Sequence, residues 1–168
     1  MTIYTVGYEG CDIDQFLEGL KKNKVTYIID IRKNPVSRKK GFSKSRLREC
    51  LEEKGISYIH YGSLGTPNAW RKEEKAKLIT RNQMFGKFVD EIIPKTQKEL
   101  QEVVDIVKHT DRAALLCYEA DASDCHRHFV AEELRTKTKM KVVDLDVLPE
   151  GSELGMFGKP LKKSKKAS

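Results

Sequence analysis

Hydrophobic positions along this chain alternate between two rhythms. Short apolar runs recur: "IYTVGY" at 3–8, "TYIIDIR" at 26–32, "SYIHYG" at 57–62, "AALLCYE" at 113–119 and "KVVDLDV" at 141–147. Each has the length of a buried strand, and most are rich in β-branched or aromatic residues. Between them the spacing becomes helical. Ile13, Phe16, Leu17 and Leu20 fall on one helical face behind Asp12, a natural N-cap. A second helix is expected from about Ser45, with Leu47, Cys50 and Leu51 inward and Gly55 as its stop. Residues 96–109 predict a strongly amphipathic helix carrying Leu100, Val103, Val104 and Val107, and 124–138 predict the next one. The stretch 64–95 is the least regular. It reads as short helices around a loop at Pro67, anchored by Phe88, Ile92 and Ile93.

Strands separated by helices predict βαβ units. The expected fold is α/β: a single domain over 1–150, with a mainly parallel open sheet of about five strands and helices on both faces, in a Rossmann-like three-layer arrangement. The length, 168 residues, suits one core. In such sheets ligands gather beyond the carboxyl ends of the strands. Polar residues at strand ends are therefore candidates, and polar residues on helix faces are not.

Composition narrows the class. Charged residues make up 34%, and no apolar run approaches the roughly 20 residues that span a bilayer. The N-terminus lacks a basic region followed by an apolar stretch, so the protein is expected to be cytoplasmic with no membrane partner. In that compartment Cys11, Cys50, Cys117 and Cys125 are expected to be thiols. The formal net charge is +7, but five lysines lie in 159–168, which leaves about +2 for the body. The Gly/Lys-rich segment 151–168 is expected to be a flexible tail, with the capacity for non-specific nucleic-acid affinity.

The strand-end filter selects four places. Gly7 and Gly10, around Tyr8, allow tight turns and close backbone approach, and the following helix start offers N–H groups to an anion. After the second strand, Asp30 and Arg32 alternate with Ile29 and Ile31, so both should project to one side. From Arg32 to Arg48 there are eight basic residues and no acid. With Ser37 and Arg38, this segment reads as a phosphate-binding loop, because guanidinium forks match phosphate oxygens. His60 stands near the end of the third strand.

The fourth strand leads into "LLCYEADASDCHRH" at 115–128. Glu119 emerges as the strand ends. It would be ionised beside arginine, or a general acid in an apolar pocket. Asp121, Ser123 and Asp124 are natural caps, which places Cys125 in the first helical turn. There the helix dipole, His126 and Arg127 would favour its thiolate. Cys117 reads as a small apolar side chain inside the strand. Metal is set aside, because C-x7-C-H-x-H has no ligand rhythm and successive residues in a helical turn point about 100° apart.

Four stretches, "TVGYEG", "DIRKNPVS", "GISYIHYGSLG" and "LLCYEADASDCHR", occur in this order over about residues 2–147. Together they resemble the domain-of-unknown-function family 488, a set of small cytoplasmic bacterial and archaeal proteins. Members more often carry histidine where Tyr8 stands. The resemblance implies a shared signature of Asp30, Arg32, Pro35, Ser37, Glu119, Cys125, His126 and Arg127, and no reaction.

The favoured expectation is a small enzyme acting on a phosphorylated, nucleotide-like ligand. Asp30, Glu119, Cys125 and His126 would be catalytic. Gly7, Tyr8, Arg32, Ser37, Arg38, His60 and Arg127 would bind the ligand or its phosphate. The residues name no cofactor. The alternatives are a nucleic-acid-binding module using the basic segment 32–48 and the lysine tail, and a thiol redox or sulfur-transfer protein.

Overall fold

The structure, a computed structural model, describes residues 1–152, so the expectation for the lysine tail lies outside the described residues. Five strands form one parallel sheet: β1 (Thr2–Gly7), β2 (Tyr27–Asp30), β3 (Ser57–His60), β4 (Ala113–Cys117) and β5 (Lys141–Asp144). Their spatial order is β3-β2-β4-β1-β5. The α/β expectation holds. The strands with apolar residues on both faces, β2 and β4, lie inside the sheet, as parallel pairing with covered faces requires.

Helix α1 (Ile13–Lys22) starts where the sequence places it. The Asp12 carboxylate accepts from Gln15 N at 2.8 Å, and the Gln15 side chain accepts from Asp12 N at 2.9 Å. This reciprocal box closes the end of α1 against its own side chains, so these groups are not free to hold an anion. Phe16, Leu17 and Leu20 of α1 pack with Leu47, Cys50 and Leu51 of α2 (Lys44–Glu53) over one face of the sheet.

The opposite face is covered by the last two helices. A chain of short elements leads there: α3 (Asn68–Lys75), α4 (Arg81–Lys87), a π-helical turn (Phe88–Ile92) and α5 (Ile93–Lys95). Then α6 (Gln97–His109) buries Leu100, Val103, Val104 and Val107, and α7 (Arg127–Thr138) buries Val130, Ala131 and Leu134. Each such aliphatic side chain contributes about 1.5–3 kcal/mol by leaving water. The period read from the sequence thus chose the right faces. Among the described residues no helix is long and apolar enough to cross a membrane.

Register aligns the strand ends that matter. Gly7 pairs with Cys117, and Asp30 with Leu116, so β1, β2 and β4 finish at one level. The loop after β4 folds back directly over Gly7: Glu9 N donates to Tyr118 O at 2.9 Å. A Cβ on Gly7 would overlap the Glu119 carbonyl. The close approach that Gly7 allows is taken up by the protein's own backbone. Gly10, at φ 83°, makes the turn into α1 as expected.

This packing predicts opposite outcomes for two glycines. Gly7→Ala should lower stability by about 2 kcal/mol or more, because backbone and not a movable side chain stands in the way. Gly86→Ala, on an exposed α4 position with open space around it, should raise stability by about 0.5–1 kcal/mol. Urea unfolding of the two variants measures both.

Candidate functional site

Beyond the ends of β1, β2 and β4 lies a cavity of about 580 Å³. Its floor is made by Cys117, Glu119, Cys125 and His126, and its sides by the loop after β2 and by α3 and α4.

The floor departs from the helical picture. Residues Ala122–Asp124 form one 3-10 turn, capped by Asp121, whose carboxylate accepts from Ser123 N at 2.9 Å. Cys125 follows in extended conformation (φ −140°, ψ 144°), and α7 begins only at Arg127. Cys125 thus stands outside the helix, and the dipole argument for its thiolate does not apply. Burial pushes the Cys125 thiol well up, and hydrogen bonding with Cys117 and the nearby Glu119 carboxylate add to the rise.

Cys117 is the last residue of β4, and its side chain faces the site rather than the core alone. Its Sγ lies 3.5 Å from Glu119 Oε2 and 3.7 Å from His126 Nδ1. His126 Nε2 lies 2.9 Å from the Ile31 carbonyl. Sulfur and imidazole atoms of Cys117, Cys125 and His126 all come within 4.8 Å of one another. The 100° separation on which metal was set aside is absent, because Cys125 is not helical.

Burial alone would push the Glu119 carboxyl up. The hydrogen bond from Cys125, a backbone hydrogen bond and the charges of His126 and Arg81 outweigh it and hold the group below the usual carboxylate range. Arg81 Nη2 donates to Glu119 Oε1 at 3.3 Å and to the Asp124 carbonyl at 2.6 Å. Of the two environments expected for Glu119, the ionised one beside arginine is found.

Four selected residues are engaged with the protein's own groups, and of these only Arg32 also lines the cavity. The Asp30 carboxylate is wholly buried and accepts from Arg32 N (3.1 Å), Nε (2.9 Å) and Nη2 (2.7 Å) and from the Tyr58 hydroxyl (2.5 Å). Arg32 Nη1 donates to the Phe42 carbonyl at 2.7 Å and the Tyr8 hydroxyl at 3.2 Å. Four of the five guanidinium N–H groups are thereby spent within the protein. His60 Nε2 sits 2.7 Å from the Arg32 carbonyl, holding the same loop. Arg127 is fully buried. It donates from Nε to Thr5 Oγ1 at 3.1 Å, from Nη1 to the Glu119 carbonyl and from Nη2 to the Ala120 carbonyl at 3.1 Å. The polar groups of Asp30, Arg32, His60 and Arg127 thus meet partners within the protein, as structural roles require.

Tyr8, Ser37 and Arg38 do line the cavity. Tyr8 is locked by stacking on Phe42, centroids 4.2 Å apart, and the Ser37 hydroxyl accepts from Lys39 N at 3.1 Å. The basic segment 32–48 disperses. Lys33 and Arg38 face the cavity, whereas Arg46 pairs with Glu49 and Arg48 lies over the Tyr58 ring.

The missed wall comes from the irregular stretch. Arg71, Lys72 and Lys75 of α3 line the cavity, as does Arg81 of α4. They were excluded as helix-face residues. Arg71 and Lys75, one helical turn apart, were the available signal. In all, seven lysines and arginines line the cavity against Glu74 and Glu119. Arg32 and Arg81 are committed to carboxylates. Lys33, Arg38, Arg71, Lys72 and Lys75 make no ion pair among the described residues.

With this geometry in view, residues 12–134 match the family model described as domain of unknown function DUF488. The chain belongs to this family. The match takes in the loop after β2, α3, α4 and the whole cavity floor, and of the cavity lining only Tyr8 lies outside it. No curated protein and no solved structure matches the chain.

If Arg32 is a brace, its removal leaves a buried, unpaired Asp30. Arg32→Met should cost about 3–5 kcal/mol in chemical denaturation, and the Asp30→Asn/Arg32→Met double variant should recover more than half of that. A stable Arg32→Met protein would contradict the assignment.

Proposed function

We propose that the protein is an enzyme acting on a phosphorylated, nucleotide-sized small molecule held in this cavity. The observation that carries the reading is how charge is distributed within one cavity. Five uncommitted cations stand around it, and the Cys117, Glu119, Cys125 and His126 side chains gather at its floor. Clustered lysines and arginines in a concave site attract and orient anions. Floor groups of this kind have little structural reason to share one cavity. The volume, about 580 Å³, falls in the range of small-molecule sites. Tyr118, 44% exposed at the rim, offers an aromatic face on which a base or similar ring can stack.

This reading is favoured over a nucleic-acid module because the basic segment does not form one continuous face. It is favoured over sulfur transfer because Cys125, 1% exposed and held as a thiol by burial, is poorly placed to attack an incoming group.

Thermal shift and calorimetry with nucleoside mono- and diphosphates, inorganic phosphate and a single-stranded oligonucleotide test the proposal. At least one nucleotide should raise Tm in a concentration-dependent way. The Arg38→Ala/Arg71→Ala/Lys75→Ala variant should bind it about tenfold or more weakly, a loss of about 1.4 kcal/mol. Equal binding by both proteins, or none by the wild type, would refute the reading. Preferred binding of the oligonucleotide with a steep salt dependence would instead support the nucleic-acid module.

A further inference from the structure

Cys117 arrives at the cavity floor from the end of β4, and Cys125 and His126 from the segment that precedes α7. The Ile31 carbonyl, 2.9 Å from His126 Nε2, can only accept a hydrogen bond. Nε2 therefore carries a proton, and in the neutral form of the ring, the form that binds metal, the lone pair is on Nδ1. Cys117 Sγ lies 3.7 Å from Nδ1 and 3.9 Å from Nε2, so it sits beside the ring and off the line of the Nδ1 lone pair. The backbone carbonyl occupies Nε2, which leaves Nδ1 as the free ring donor beside two thiols, as in a metal-binding histidine.

Distances agree with this. For a tetrahedral ion with metal–sulfur and metal–nitrogen bonds near 2.3 and 2.05 Å, the sulfur–nitrogen edge is about 3.6 Å and the sulfur–sulfur edge about 3.8 Å. The Cys117–His126 edge is already 3.7 Å, and every edge of the triad is within 4.8 Å. A metal seated on the Nδ1 lone pair requires the Cys117 sulfur to turn towards it and the longest edge to contract by about 1 Å. The Phe88 ring, 5.4 Å from the imidazole, backs it with apolar surface. Cys11 and Cys50, by contrast, are buried in the core on the other side of the sheet.

We propose that Cys117, Cys125 and His126 bind one borderline-soft transition-metal ion, zinc by the chemistry of the ligand set. Two sulfurs and one nitrogen exclude magnesium and calcium, which take oxygen. All three residues line the cavity, and the fourth position would be open to it. Three protein ligands with an open position characterise catalytic zinc, whereas structural zinc is closed by four. On binding, the two thiols release their protons to solvent, two metal–sulfur bonds and one metal–nitrogen bond form, and nothing is oxidised or reduced. Glu119, with Oε2 3.5 Å from Cys117 Sγ, stands beside the open position. A role for the ion towards a phosphorylated ligand rests on the function proposed above, but metal uptake does not, so each can fail without the other.

Titration of the fully reduced, metal-stripped, full-length protein with Co2+, with no other ligand present, tests the site. The expected result is a thiolate-to-cobalt charge-transfer band with the intense visible bands of a tetrahedral ion. It should saturate at one ion per chain and be displaced by Zn2+. Cys117→Ser and Cys125→Ser should each weaken uptake about tenfold or more and reduce the charge-transfer intensity. Cys11→Ser/Cys50→Ser should leave the spectrum unchanged. Absence of the thiolate band in the wild type overturns the proposal whatever the variants do. A band that survives Cys117→Ser and disappears in Cys11→Ser/Cys50→Ser also overturns it. So does ready formation of a Cys117–Cys125 disulfide in a protein that takes up no metal when reduced.

Discussion

The geometry of the cavity depends on one buried guanidinium. Arg127 opens α7 beneath the ends of β1 and β4, with no exposure to solvent. A cation is poorly placed in the first turn of a helix, where the dipole opposes it. It is tolerated because the Glu119 and Ala120 carbonyls and the Thr5 hydroxyl accept its hydrogen bonds, and the Thr5 hydroxyl in turn donates to Asp144 Oδ1 at 2.5 Å. Three of its five N–H groups are directed at these acceptors, which offsets the cost of burying the charge. The loop from Tyr118 to Asp121 is therefore held in the one shape that supplies those carbonyls. That shape turns Cys117 and Glu119 towards the cavity and brings Cys125 and His126 beside them.

The second buried guanidinium does the same for the opposite side. Arg32 ties Asp30, Tyr8 and the Phe42 carbonyl together, and Tyr58 and His60 extend the network to β3. The loop after β2 leaves this network already aimed, with Lys33 and Arg38 at the cavity. Two arginines that resemble ligand-binding residues thus build a rigid frame. What faces the cavity is what this frame positions: cations without an ion pair along the sides, and the sulfur, imidazole and carboxylate groups at the floor.

Much of the fold was legible because it follows from local periodicity. Apolar runs, the Asp12 cap and the i, i+3, i+4 spacing in α1 and α6 each point to one answer, and tertiary packing agrees with them. The segment 120–126 was less legible. Asp121, Ser123 and Asp124 are all good helix caps, and which of them starts a helix depends on where the Arg127 side chain finds acceptors. The choice made a 3-10 turn and an extended Cys125 in place of a helix, which removed the case against metal binding; burial of the thiol beside Cys117 and Glu119 set the direction of its acidity.

By itself, the sequence determined the α/β class, the number of strands, the buried helix faces, the resemblance to DUF488 and the stretches from which most of the site is drawn. These rest on local spacing and residue type, which are properties of neighbours in the chain. Only the tertiary structure decided that Asp30 and Arg32 consume each other, that Arg127 faces inward, that α3 contributes the missing cations, and that Cys117, Cys125 and His126 converge. Each of those outcomes depends on which acceptor a buried donor can reach across the sheet, and that is fixed by strand order and loop shape.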